Sequence, residues 1–499
     1  MILKPDSALQ MIFISRDEVL GDEVMVRVVS EVVDSLNLDD LYSRYSEAGR
    51  PFYDPAMMLG VLFFAYSDGE VSSREIAKSI KYDIRYQYFR GSLRPDFRTI
   101  SRFRLDNLDL LGGYFARIVA ICQQAGLVDI SMVAMDGTKM KASASRRRTI
   151  GKKELAKLTE EFRRRLTQDA ALEEETGGQE LSQGQSEGTG WNTELKKRLK
   201  EAIGRMAEGT QEKVNLTDPD ASFMKTSEGG IRPCYNSQVA VDKNQIIVAA
   251  DVSDNSKDSL QFESLVEKVR GNVEGQVGKV LVDGGFYSAS NLKYATTEGL
   301  DVYLPIGQVV GPQPPEFERE SFVYDNDSGG YRCPAGRMLL HKYDLNENGV
   351  IIKVYGGAIK ICRACRHKSK CTKARYRTLR IPEVYDQILE MRRKLSSESG
   401  RQIYDKRKVM VEPVFANMKF NLGFWGFRLR TLARVKGEFL LMCMAHNLRK
   451  LAQYWSNGRS QTTKMPIECF LNQILIIIFY FSIKKTNQRP YSCRRLGYA

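Results

Sequence analysis

The chain has 499 residues and carries 75 Lys and Arg against 61 Asp and Glu, a net charge of +14 at pH 7 and an isoelectric point near 9.2. That length excludes a single small domain, and the basic surplus suits a polyanionic partner. Cys122, Cys234, Cys443, Cys469 and Cys493 are scattered without framework spacing, which excludes a disulfide-built secreted scaffold.

The opening MILKPDSALQMIFISRDEV breaks its apolar stretch with charges, so no signal peptide is expected and the cytosol is the expected compartment. From Pro51 to Leu127 the text reads as short helices with Gly and Ser turns, Ser72 and Ser73 capping the second and Pro95–Asp96 starting the third. Arg74, Arg98, Arg102 and Arg104 fall near helix starts, where phosphates also bind, or they form an ordinary solvated basic face. A strand follows over Ile130–Met135 and ends in Asp136. The chain then makes a charged excursion over 141–213, read as two basic helices joined by an acidic, Gly/Gln-rich tip.

The sheet resumes with CYNSQVAVD and IIVAADVS, a hairpin around Lys243–Asn244. A helix over Leu260–Val269 comes next, then a strand Lys279–Val282 ending in Asp283, a helix near Ala289–Glu298 and a strand Val302–Pro305. Three strands, a helix, a strand, a helix and a strand predict an α/β architecture of the ribonuclease-H-like kind, in which carboxylates end the first and fourth strands. The third carboxylate then comes from beyond an insertion over 307–395. Two strand-end aspartates and one helical glutamate, Glu412, make an oxygen-only cage for two divalent ions, which is phosphodiester chemistry.

Within the second insertion lie Cys333 in YRCPAGR and Cys362, Cys365 and Cys371 in CRACRHKSKC. Four thiols with one C-x-x-C pair fit a closed tetrahedral zinc site with no catalytic part, and His367 is a possible substitute ligand; reduced structural thiols are the alternative. Glu412 opens a predicted helix. Lys419, seven residues on, lies within about 20° of the same face if that helix is continuous. Pro413 should occupy a first turn or a kink. Downstream, Trp425 and other aromatics alternate with Arg428, Arg430, Arg434 and Lys436, stacking faces beside phosphate ligands. Near the end, the apolar run Phe470–Ile483 is shorter than the roughly 20 residues that span a bilayer and reads as a buried helix or tail rather than an anchor.

The set PFYDPAMMLGVLFFAYSDGEVSSREI, RPDFRTISRFR, MDGTKMKASAS, NLTDPDASFM, CYNSQVAVD, VDGGFYS and VEPVFANMK…LGFWGFRLR…KGEFLLMCMAHNLRKL resembles bacterial insertion-sequence transposases of the DDE type, from about Pro51 to Leu451. The resemblance implies a helical DNA-binding domain over 1–127, a ribonuclease-H-like catalytic domain over 128–457, and a tail over 458–499 without a counterpart. It also implies Mg²⁺ or Mn²⁺ dependence with two ions, binding of terminal inverted repeats and of target DNA, and a homodimer that joins two ends. Asp136, Asp283 and Glu412 take the acid positions, and Lys419 matches the lysine that follows the glutamate. Tyr404 and Arg407 appear in order, but Arg407 is one residue further from the glutamate than the usual pattern and Lys408 occupies its register. A non-catalytic DNA-binding relic and a nuclease without strand transfer are the rival readings.

Overall fold

The computed structural model describes residues 20–21, 23–45, 52–161, 164, 200–206, 213–226, 229–306 and 315–459. The opening segment over 1–19, the Gly/Gln-rich tip and the run Phe470–Ile483 lie outside those residues. No helix of the described residues is long and apolar enough to cross a membrane.

The amino-terminal part is helical: α1 (Val24–Asp34), α2 (Pro55–Ser67), α3 (Ser73–Tyr82), α4 (Phe97–Asp106) and α5 (Leu111–Gln124). Local chemistry starts two of them. Asp54 accepts from Met57 N at 3.0 Å ahead of Pro55, and Asp96 accepts from Thr99 N at 2.7 Å, each satisfying a first-turn N–H. Ser72 sits at the N-cap of α3 without a side-chain capping bond. Helix α2 is buried almost all round, as its unbroken apolar text requires.

Six strands form the main sheet: β1 (Met132–Lys141), β4 (Ser222–Lys225), β5 (Ile231–Asp242), β6 (Ile247–Ser253), β7 (Lys279–Val282) and β8 (Asp301–Tyr303), while β2 (Thr149–Gly151) and β3 (Lys213–Asn215) pair separately. Its order is β6-β5-β1-β7-β8, with β4 sharing the outer edge of β5. Strand β5 runs antiparallel to β1, whereas β7 and β8 run parallel to it. Helices α6 (Phe262–Asn272) and α7 (Ala289–Thr297) supply the crossovers that parallel pairing needs. Residues 152–161 and 200–206 are helical and close a small core of Leu155, Ala202, Met206 and Val214.

A second, all-antiparallel sheet occupies the later insertion: β9 (Val323–Asp325), β10 (Gly330–Arg332), β11 (Met338–Glu347), β12 (Val350–Gly357) and β13 (Thr378–Pro382). Among the described residues its own buried cluster is small: Phe322, Leu339, Tyr355, Leu379 and Ile381. The chain then forms α8 (Tyr385–Ser396), α9 (Glu398–Ala416), a π-helical turn Asn417–Asn421, and α10 (Leu432–Arg459). Helix α10 packs on α1, α2, α5 and β6 together, so the helices before residue 127 and the main sheet share one continuous core.

Candidate active site

Register brings the two aspartates together. The parallel pairing of β1 with β7 ends at Met135 opposite Val282, which leaves Asp136 and Asp283 as the next residue on each strand. Strand β1 does not stop at Asp136, as its sequence suggests, but continues to Lys141 because β5 pairs with it over that whole length. Asp136 is therefore held inside a ladder, while Asp283 opens a turn over Gly284–Phe286. Each carboxylate accepts from a nearby N–H, Asp136 from Gly137 at 2.8 Å and Asp283 from Gly285. Gly137 is required by close approach: a Cβ there would meet Gln238 Nε2 at 2.3 Å.

Arg407 enters from α9, its Nη1 donating to Asp136 Oδ2 at 3.0 Å. Burial pushes the Asp136 carboxyl up from its ordinary value, Arg407 pulls it back, and Asp283 adds repulsion. The guanidinium loses hydration by burial, but Asp136 and Asp283 outweigh that loss and its pKa is raised. Tyr404 lies beneath it, ring centroid 5.9 Å from the guanidinium carbon. Arg407 Nε is buried without a hydrogen-bond partner. Lys408, in contrast, is exposed.

Two residues along β1 from Asp136, Thr138 accepts from Lys419 Nζ at 2.7 Å. Lys419 does not reach it along a continuous helix. Helix α9 starts at Glu398, well before Glu412, and carries Pro413 inside it rather than in a first turn. Pro413 leaves the Val409 carbonyl without its helical donor, and Gln245 Nε2 supplies one at 3.1 Å. The helix then gives way to the π turn that carries Lys419. Glu412 stands about 140° round α9 from Arg407; it is exposed, and its side chain makes no hydrogen bond or ion pair among the described residues.

A further acid, which no sequence pattern singled out, braces this site. Asp258 Oδ1 accepts from Lys139 Nζ at 2.9 Å, Asn236 Nδ2 at 2.7 Å and Gln238 Nε2 at 2.6 Å. A Cβ added at Gly285 would lie 2.9 Å from both Asp258 Oδ2 and Asp283 Oδ1, so Asp258 backs the Asp283 turn. It follows no apolar run, and its only signal was Lys139 in the Asp-Gly-Thr-Lys text.

Arg428 and Arg430 lie exposed after Trp425, and Arg430 Nε donates to Ser143 O at 3.0 Å. Further off, Cys333, Cys362, Cys365 and Cys371 line one cavity of about 30 Å³. Cys333 Sγ accepts from Arg337 N at 3.3 Å. Burial pushes the Cys371 thiol up, and the other three sulfurs add to it. His367 does not line that cavity; its ring packs on Phe317 and takes a hydrogen bond from Arg366 Nε at 3.0 Å. Among the described residues no group of three or more Asp, Glu, His or Cys side chains is already arranged around a metal position.

No curated protein matches the chain. Two family models do: one described as a transposase DDE domain over residues 332–452, and one described as a transposase domain (DUF772) over residues 14–106. The first describes DNA-binding, nucleic-acid-cleaving enzymes that generally use divalent ions such as Mg²⁺. Transposase models match both the amino-terminal helices and the later part of the chain, which supports an insertion-sequence transposase of the DDE type.

Proposed function

We propose that the protein binds the terminal inverted repeats of a mobile element and catalyses strand cleavage and then strand transfer into target DNA, on a ribonuclease-H-like sheet. The observation that carries this reading is the β1–β7 register, which sets Asp136 and Asp283 side by side at the end of parallel pairing. The strand order β6-β5-β1-β7-β8 with β5 antiparallel supports the sheet assignment. The transposase domain match over 14–106 supports a DNA-binding role for residues 1–127, and the joining of two ends calls for a homodimer, acting in the cytoplasm of a bacterium.

The donor set fits Mg²⁺ or Mn²⁺. Two carboxylates converge on a position whose charge is balanced by Arg407, and hard oxygen ligands suit these ions. Glu412, exposed on the helix that carries Arg407, is assigned as the third ligand from the family pattern. When bound, two such ions activate a water or 3′ hydroxyl and stabilise the leaving oxygen of an in-line displacement. The chain's own groups do the rest. Asp136 and Asp283 would hold the ions, Arg407 orients the Asp136 carboxylate, and Lys419 beside Thr138 neutralises the phosphate next to the scissile bond. In cleavage the water oxygen bonds to phosphorus as the bridging oxygen leaves as a 3′ hydroxyl; in transfer that hydroxyl attacks a target phosphate and releases a target 3′ oxygen.

Asp136→Asn should abolish Mg²⁺-dependent cleavage of DNA carrying the flanking repeats while end binding stays largely intact. Full cleavage by that variant removes the assignment, and equal loss of binding marks misfolding. Full cleavage by Glu412→Gln removes Glu412 alone. Wild-type protein that cuts without joining is a nuclease, and one that binds without cutting is a DNA-binding relic.

The four cysteines are proposed to hold a structural zinc ion. All four line one small cavity, an N–H already points at Cys333 Sγ, and the small core of their sheet gives a metal staple something to do.

A further inference from the structure

The motif NLTDPDASFM has no part in the acid site, yet both its aspartates accept backbone N–H groups from one distant loop. Asp218 is fully buried, and its Oδ1 accepts from Thr431 N at 3.1 Å and Tyr235 Oη at 2.9 Å. Asp220 Oδ2 accepts from Leu432 N at 2.8 Å. From α10, fully buried Glu438 accepts from Arg428 N at 3.1 and 3.0 Å and from Leu429 N at 2.8 Å. Phe427 N completes the set on Lys141 O at 2.8 Å. Thr431 is held at φ 72°, a conformation a threonine keeps only where its surroundings dictate it.

Burying two carboxylates is expensive, far more than closing a surface turn requires. What the outlay fixes is a strand-like alternation: Phe427 and Leu429 point into the core, while Arg428 and Arg430 point out. Arg430 is further tied to Ser143, and Gly426 pairs with Lys141 at the far end of β1. From Asp136 to Lys141 is roughly 17 Å along the strand, or about half a turn of B-form DNA.

We propose that residues 426–432 form a rigid rail whose two guanidiniums grip duplex backbone phosphates about half a turn from the scissile bond, with Glu438 and Asp218 as its positioning residues. The proposal rests on the DNA-transposase reading and names where on the duplex this surface acts. Buried acids that only stabilised the fold would act independently of the arginines; acids that aim the arginines would not.

The test is a double-mutant cycle on DNA affinity, read without Mg²⁺ on a labelled duplex carrying the terminal repeat, at several salt concentrations. Removing both guanidiniums (Arg428→Ala with Arg430→Ala) should weaken binding and lower the salt slope by about two. In a Glu438→Gln background the same pair of changes should cost at least about threefold less than in wild type. An unchanged slope in the arginine variant overturns the rail. Additive losses, within about twofold, overturn the positioning role. Should Glu438→Gln fail to fold by circular dichroism, Asp218→Asn takes its place in the cycle. Loss of the catalytic assignment at Asp136 leaves these results standing, whereas a wild-type chain with no salt-dependent DNA binding removes the functional reading itself.

Discussion

His446 shows how much one buried side chain can hold. Its Nε2 donates to Gln245 O at 2.8 Å and its Nδ1 accepts from Asn417 Nδ2 at 3.0 Å, which joins the β5–β6 turn to the start of the turn carrying Lys419. Burial pushes the imidazole from 6.5 down to about 4. Between those values the unfolded chain holds the extra proton, so this contribution is complete above pH 6.5 and is lost as pH falls towards 4. Its size is on the order of 3 kcal/mol. Asp242, pushed up to about 6 by burial, works in the opposite sense, its contribution being lost as pH rises. The stability gap between wild type and His446→Gln, measured by chemical denaturation, should therefore narrow steadily from pH 7 to pH 4.5; a constant gap sinks the assignment. Lys419→Ala should lower turnover at saturating DNA more than it lowers affinity, and Arg430→Ala the reverse, with a salt slope smaller by about one. Equal behaviour in the two kinetic and binding titrations returns Lys419 to the general basic surface. At this scale the sequence singled out the two aspartates that the β1–β7 register sets side by side, because an acid after an aliphatic run and before glycine has few local reasons to be there. It did not disclose which of Arg407 and Lys408 faces inward, because that depends on where α9 begins, nor Asp258, whose partners lie on strands β1 and β5, nor Glu438, whose partners are backbone N–H groups of the loop before its own helix.

Elements were legible where their own residues decide them. Strand β7 and the β5–β6 hairpin stand where their β-branched runs and turn residues set them, and so does α4 behind Asp96. Length was harder: β1 outlasts its apolar run because β5 continues beside it, and α9 swallows Pro413 because Gln245 satisfies the carbonyl that proline orphans. The second sheet was not visible at all, since its longest strand, β11, carries so much exposed polar text. Two element-scale outcomes follow from packing. A Cβ at Gly400 would sit 1.8 Å from Lys394 O, so Gly400→Ala should cost about 1–3 kcal/mol by forcing α8 and α9 apart, measured as a drop in thermal midpoint. If the cysteine sheet is stapled as proposed, purified protein should carry about one zinc per chain, and chelation should open residues 323–382 to proteolysis first. Folded protein with no zinc by metal analysis leaves four ordinary thiols.

Across the whole molecule, α10 is the common neighbour. It touches the amino-terminal helices on one side and β6 on the other, so the helices before residue 127 should melt together with the main sheet in one transition, seen as coincident far-ultraviolet and tryptophan signals. Two separated transitions would contradict the shared core. That union was not legible in the sequence, where the composition break near residue 127 looks like a boundary, because the joining helix lies some 300 residues later. Asn447 on that helix makes a second kind of join. Its side-chain amide donates to Ile247 O and accepts from Ile247 N, both at 2.9 Å, and so imitates a neighbouring strand for one residue of β6. A bare sheet margin is a template on which identical chains stack. Beneath α10 that margin is not bare, since Ile247 and Asn447 are both buried, so Asn447→Leu should leave the Ile247 N–H and C=O unpaired and cost about 1–3 kcal/mol, read as a lower denaturation midpoint.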